Sequence, residues 1–249
     1  EKAKEMGCDA IATGHYARVA RDEKSGRFVL KKPRDLSKDQ TYVLYHLTQE
    51  QLAHTRFPLG DYLKSEVRQM AQERGLVAAS KPDSQDICFV PDGDYAAFLE
   101  RYTGKTVACG DFVDTQGNVI GTHKGHMHYT VGQRKGLGVS FGQPMFVLGK
   151  DAANNKVVLG RKEQLPCTAL LADDVNWMAF ETLTEPVKVM AKTRYHQPET
   201  PATVYPTENG VRVEFEQPKV AAPGQAVVFY DGDTVLGGGT IRSLIRGEQ

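Results

Sequence analysis

Cys88 stands in the run Asp83-Ser84-Gln85-Asp86-Ile87-Cys88-Phe89. A cysteine is a nucleophile only as its thiolate, so its neighbours decide whether it reacts. Polar, turn-forming residues precede it and the apolar pair Phe89-Val90 follows. That pattern suits a side chain held at the rim of a cavity, anchored on one side and reachable on the other. It equally suits a small buried hydrophobe, the commoner fate of a free cysteine. A second candidate is Thr13-Gly14-His15-Tyr16, which follows the short apolar run Ala10-Ile11-Ala12. In open α/β sheets, ligands bind beyond the carboxyl ends of strands, and a glycine there lets them approach the backbone. A plain turn with a surface histidine reads the same way. A third is the stretch 121–138, which mixes His123, Lys124, His126, His128, Arg134 and Lys135 with glycines. Free backbone amides and cations suit phosphate contacts, although a solvated basic hairpin is the plainer reading. The alternating histidines suggest one strand face. No carboxylate or thiolate stands close enough in sequence to complete a metal site.

The bulk composition narrows the field. With 249 residues the chain can bury a sizeable core in two or three units. Lys plus Arg equals Asp plus Glu, 31 each, which argues against a wholly basic nucleic-acid coat and leaves room for a local basic patch. No apolar run has the length of a membrane span, and no signal peptide opens the chain. The four cysteines, Cys8, Cys88, Cys109 and Cys167, form no paired metal-ligand spacing. No structural metal is expected, and reduced thiols in a cytoplasmic setting are.

These residues need elements to hold them. Residues 1–7 read as the last turns of a helix closed by Gly7, and residues 8–12 as a buried strand. A chain rarely opens inside an αβ unit, so an upstream segment is expected. Phe28-Val29-Leu30 reads as a strand after a Lys24-Ser25-Gly26 turn. Thr48 and Gln51 form a capping box. Leu63, Val67, Met70 and Ala71 share a helix face that Gly75 ends. Asp92 or Asp94 caps a third helix whose buried stripe is Tyr95, Phe98, Leu99 and Tyr102. Cys88 falls in the link between these last two helices, where a scaffolded loop can carry function. Beyond Gly104, short β-rich runs take over. From Cys167 the pattern is all-β, with Asn209-Gly210 and Asp231-Gly232 as hairpin turns and a small barrel or sandwich as the expected fold. Gly237-Gly238-Gly239 reads as a bend or close backbone approach.

In order along the chain stand Ala12-Thr13-Gly14-His15-Tyr16-Ala17-Arg18, Lys38-Asp39-Gln40-Thr41-Tyr42, the Cys88 run, and Thr130-Val131-Gly132-Gln133-Arg134-Lys135-Gly136-Leu137-Gly138. Lys192-Thr193-Arg194-Tyr195, Pro223-Gly224-Gln225 and Leu236-Gly237-Gly238-Gly239-Thr240-Ile241 follow. No single motif is decisive, but the ordered set resembles the C-terminal two-thirds of the bacterial tRNA-specific 2-thiouridylases. The resemblance implies part of an α/β adenine-nucleotide hydrolase-like (ATP-pyrophosphatase) domain with helices over 1–90. It implies a small β-rich tRNA-binding domain over 91–164 and a C-terminal β-barrel over 165–249. It also implies an activity: ATP, with Mg2+, activates the wobble uridine of tRNA as an adenylate, and a persulfide on Cys88 delivers sulfur to it.

By the same resemblance Gly14 touches ATP through its backbone. His15, Lys38, Asp39, Gln40, Arg194, Tyr195 and Gln225 contact tRNA, and Arg134 and Lys135 add basic contacts. A cysteine desulfurase or sulfur-relay protein supplies the sulfur, and no membrane is involved. The 249 residues depart from the family in holding neither its glycine- and serine-rich pyrophosphate loop nor the cysteine that works opposite the persulfide. Cys8 is not its replacement. Alone they are therefore expected to be inactive. The rival from a different class is a non-catalytic RNA-binding module with Cys88 structural.

Overall fold

In the computed structural model, residues 2–76, 90, 95–104 and 108–247 are described. Cys88 and the expected caps Asp92 and Asp94 lie outside them. The chain forms two compact units: Glu1–Lys81 with Thr168–Gln249, and Pro82–Cys167.

The first unit starts with helix α1 (Lys2–Glu5). Gly7, at φ 72°, ends it: the Gly7 amide donates to the Lys4 carbonyl and the Cys8 amide to the Ala3 carbonyl, a Schellman closure. Strand β1 (Ile11–Ala12) follows, but both its residues are exposed and Ile11 is 48% accessible. The expected burial is thus not found. Apolarity marked the strand, and nothing local in the sequence marks what covers it. A hairpin of β2 (Arg18–Arg21) and β3 (Phe28–Lys31) turns at Gly26. A 3₁₀ turn (Leu36–Lys38) leads into α2 (Thr41–Leu44) and α3 (Gln49–Ala53). The Thr48–Gln51 capping box is present at α3, a device worth about 1 kcal/mol. Strand β4 (Thr55–Arg56) pairs parallel with β1. Helix α4 (Lys64–Glu73) closes at Gly75, φ 65°.

The second unit holds α5 (Tyr95–Thr103) and a four-stranded sheet. Its strands are β5 (Gly110–Val113), β6 (Val119–His123), β7 (Phe146–Asp151) and β8 (Lys156–Gly160), in the order β6-β5-β8-β7. The stripe expected to be buried on α5 is largely open: Tyr95, Leu99 and Tyr102 are 43%, 38% and 80% accessible. Helical spacing identifies an apolar face without saying whether another element meets it.

The remaining strands return to the first unit: β9 (Cys167–Trp177), β10 (Val187–Lys192), β11 (Thr200–Thr207), β12 (Gly210–Lys219), β13 (Ala226–Asp231) and β14 (Thr234–Ile245). The order β13-β10-β11-β12-β9-β14 closes into a six-stranded barrel because β13 also pairs with β14. Alternation on β10 and β12 buries Val189, Ala191, Val211, Val213 and Phe215, as period-two patterning requires. The β2–β3 hairpin extends the same sheet beside β14 through Lys31 and Thr234. Its core is shared: Ala17, Leu30 and Leu52 pack with Met178, Val228, Tyr230 and Val235. A fully buried leucine contributes about 2 kcal/mol, so this seam is a substantial part of the unit's stability. The glycine run at 237–239 serves close approach. A side-chain carbon on Gly238 would stand 2.7 Å from the Tyr45 ring and 2.8 Å from the Val227 carbonyl.

Candidate nucleic-acid interface

The parallel pair β1 and β4 ends at Thr13 and Phe57. The Thr13 amide donates to the Arg56 carbonyl, and its hydroxyl lies 3.0 Å from His15 Nδ1. His15 is half-buried and meets Phe57 edge-on at 6.3 Å. Gly14 is exposed, and an added side-chain carbon would meet only Leu59, at 3.8 Å. The chain's own packing does not require glycine there. Its open space beyond the strand ends suits a nucleotide laid on the backbone.

The 38–40 loop is tied to this turn. The Gln40 amide donates to the Tyr16 carbonyl (3.1 Å), and Gln40 Oε1 accepts from the Tyr16 amide (2.9 Å). Asp35 fixes the loop's other end. One carboxylate oxygen accepts from the Ser37 amide and hydroxyl, and the other accepts from the Lys64 amide at the start of α4. The Ser37 hydroxyl and then the Lys64 amide are the largest of the bonds that hold the Asp35 carboxyl below its ordinary range. Asp39 caps inward: its Oδ1 accepts from the Thr41 amide (2.9 Å) and hydroxyl (2.7 Å). The buried Thr41 hydroxyl in turn lies 3.3 Å from the Tyr230 hydroxyl in the barrel wall.

The barrel end faces the same loop. Tyr42 donates its hydroxyl proton to the Ala226 carbonyl at 2.9 Å, beside the exposed Gln225. Gln225 closes a turn with Pro223 and Gly224 in which its amide donates to Ala222. The rings of Tyr42 and Tyr195 meet at 6.3 Å. Burial pushes the Tyr42 hydroxyl up to about 12. Tyr195 is raised too, by burial first and then by the Asp39 carboxylate. Both rings therefore stay neutral at physiological pH. The field of Arg194 reaches Tyr42, and that of Lys38 reaches Tyr195. Three separated stretches, 38–42, 192–195 and 225–226, thus meet in one patch where the buried Tyr42 underlies the half-buried Tyr195 with cations among them, tied through Gln40 to the His15 turn.

Arg134 and Lys135 belong to the second unit. There Gln133 shapes the loop: its Oε1 accepts from the Thr130 amide and its Nε2 donates to the Lys135 carbonyl. Both cations are exposed at the tip. The expected histidine strand face is corrected. Only His123 is in β6; Gly125, at φ 115°, breaks the strand, and His126 and His128 sit in a 3₁₀ turn. His123 is buried. It accepts the Gly125 amide on Nδ1 (3.0 Å), which assigns the ring proton to Nε2 for donation to the Asn155 carbonyl (3.1 Å). Burial lowers its pKa, with His126 adding to the effect and the Asn155 bond and Asp111 opposing it. The folded form then binds the proton less readily than the unfolded chain. Its stabilisation is complete above about pH 6.5, the unfolded value, and is lost as pH falls below it. Protection factors of the β5 and β8 amides, corrected for the intrinsic exchange rate at each pH, should fall between neutral and mildly acidic pH, and His123→Gln should flatten that response. An unchanged profile in the variant would exclude His123 as the cause.

Tyr42 and Lys192 belong to the surface but were not assigned a role by sequence. Their signal was present in the aromatic run after Gln40 and in a lysine three residues before Tyr195. Among the described residues no cluster of three or more His, Cys, Asp or Glu side chains is placed to hold a metal, and no helix is long and apolar enough to cross a membrane.

The order of parts, an α/β segment, a β-rich centre and a closed barrel, defines a class. Residues 1–92 match the family described as tRNA methyl transferase HUP domain. Residues 96–161 match tRNA methyl transferase PRC-barrel domain, and residues 167–241 match Aminomethyltransferase beta-barrel domain. The chain is 51% identical over 247 residues to the tRNA-specific 2-thiouridylase MnmA of Clostridioides difficile, covering 98% of this chain and 68% of that protein. It is 53% identical over 243 residues to that of Acetivibrio thermocellus, covering 97% and 68%. The identity to that of Desulfitobacterium hafniense is 51% over 252 residues, covering 96% and 68%. The chain belongs to the tRNA-specific 2-thiouridylase family, a family of enzymes.

Proposed function

We propose that this chain takes part in the ATP-dependent 2-thiolation of the wobble uridine of tRNA. The observation that carries the proposal is the convergence of Lys38, Gln40, Arg194, Tyr195 and Gln225 on one surface beside the Gly14–His15 turn. The uracil 2-oxygen is a poor leaving group, and ATP, when bound, supplies the chemistry that makes it a good one. Gly14 would let the nucleotide approach the backbone, with any Mg2+ entering on its phosphates. His15, beside it, would meet the RNA. Lys38 and Arg194 would hold phosphates, and Arg134 and Lys135 would add contacts from the second unit. Tyr195 offers a face for a base, since unstacked RNA bases are commonly held on aromatic rings. Gln40 keeps its NH2 for the RNA, because only its carbonyl oxygen is bonded to Tyr16. Asp39 keeps one carboxylate oxygen, which can accept from a ribose hydroxyl. The target base would leave its stack to be reached. Cys88 would carry the sulfur as a persulfide, a softer and more readily ionised nucleophile than a thiol, loaded by a cysteine desulfurase or a sulfur-relay protein in the cytoplasm. In this reading the stretches 1–90, 91–164 and 165–249 are the catalytic, central tRNA-binding and barrel parts.

The test is tRNA binding by the chain carrying Arg194→Ala and Tyr195→Ala together. A lost stacking face alone costs roughly 1–3 kcal/mol per base, so the dissociation constant should rise by about tenfold or more. An affinity equal to that of the unaltered chain would remove the barrel surface from the proposal.

A further inference from the structure

Three lysines in this unit lie over tyrosine rings, and the surroundings of two of them, Lys32 and Lys192, differ. Lys32 Nζ sits 4.7 Å from the centre of the Tyr230 ring, pairs with Glu199 at 2.6 Å and donates to the Gly232 carbonyl at 2.9 Å. Its charge and donors are used within the fold. Lys192 Nζ lies over two neighbouring rings, 5.9 Å from the centre of Tyr42 and 5.7 Å from that of Tyr195. Among the described residues it makes no hydrogen bond and no ion pair. The half-buried ammonium therefore has ring faces for company and three N–H donors left over. Partial burial of a cation without an opposite charge is costly unless something meets it. The residues around it point to what that is. Lys38 and Arg194 add positive charge nearby, and Asp39, the carboxylate that acts on Tyr195 among the described residues, is committed to Thr41 through one oxygen.

Resting on the reading of this surface as an RNA interface, we infer that Lys192 is a further nucleic-acid contact: it binds a backbone phosphate directly while its charge holds the Tyr42 and Tyr195 rings in place. The occupant is a phosphodiester oxygen next to the nucleotide that lies on Tyr195. A ring-orienting role alone would leave no mark on salt dependence. A phosphate contact releases a counterion and changes it.

The experiment measures tRNA affinity of the full chain across a salt series, for the unaltered protein, Lys192→Met, Lys192→Arg, Lys32→Met and Lys38→Ala. Lys192→Met should bind more weakly, and the slope of log affinity against log salt should become shallower by about one. Its deficit relative to the unaltered chain should therefore narrow by about fourfold between about 50 mM and about 200 mM salt. Lys192→Arg should restore the slope, and Lys32→Met should lower thermal stability with the slope unchanged. Weaker binding of Lys192→Met with an unaltered slope would overturn the phosphate contact and leave only ring positioning. If Lys38→Ala shifts the slope and Lys192→Met does not, this inference fails and the interface stands. If neither shifts it, the interface reading itself fails.

Discussion

Cys88→Ser is expected to abolish sulfur delivery while tRNA binding and folding persist. Serine has nearly the shape of cysteine, but its oxygen carries no transferable sulfur. Loss of an essential nucleophile commonly lowers turnover by a factor on the order of 10³ or more. The comparison belongs in a protein that also contains the upstream pyrophosphate loop of the family, read out as 2-thiouridine formed per tRNA. In the same assay the 249 residues alone should give no turnover, because their sequence holds no such loop. Undiminished thiolation by the serine variant would end the role given to Cys88. Turnover by the 249 residues alone would show that the loop is dispensable.

Gly60→Ala should be the most damaging small substitution in the first unit. A side-chain carbon at Gly60 would lie 2.0 Å from the Ala17 carbonyl oxygen and 2.9 Å from its carbon. Neither is a flexible tip that can swing aside. Ala17 is fully buried, and the strand β2 begins at the next residue. Gly60 is also committed, with its carbonyl accepting from the Arg34 amide. Relief requires moving the backbone between the His15 turn and β2, or that of the loop after Arg34. Core overpacking of this kind costs on the order of 3 kcal/mol, and both displaced segments border the proposed RNA surface. Urea unfolding should show a clear drop in midpoint, with tRNA affinity falling as well. Gly149→Ala is the matched control. Nothing lies within 4 Å of the added carbon there, so stability should hold or rise slightly. Equal midpoints for the two variants would show that the contact at Gly60 yields easily.

Local devices were readable from sequence because their physics is local. The Schellman closure at Gly7, the Thr48–Gln51 box and the turns at Gly210 and Gly232 each involve a few neighbouring residues, and all are present. The barrel was within reach for the same reason, since alternation and turn spacing carry it. What sequence did not carry was company at a distance. The spacing of Tyr95, Leu99 and Tyr102 gave a helix face and could not say that it faces outward. The alternating histidines suggested a strand, and one glycine in a left-handed conformation ended it. Asp39 and Gln40 were expected to meet RNA, yet each gives part of its hydrogen bonding to the chain itself. That division depends on Thr41 and Tyr16 folding back onto them. Lys192 was visible only as part of a motif. Its significance comes from two tyrosines 153 residues apart in chain order, Tyr42 and Tyr195, whose ring centres the barrel seam brings to 6.3 Å from each other.

The docking of the β2–β3 hairpin beside β14 also sets an order of birth. On the ribosome, Ala17, Leu30 and Leu52 emerge long before Met178, Val228 and Val235, the residues that bury them. The intervening Pro82–Cys167 unit has all its own strands in hand first. At roughly 5–20 residues per second, the early apolar hairpin waits about 10–40 seconds for its partner strand. A nascent chain that stalls before β14 therefore has all the strands of the Pro82–Cys167 unit in hand, while the hairpin before it still lacks its partner and is the part in need of a chaperone.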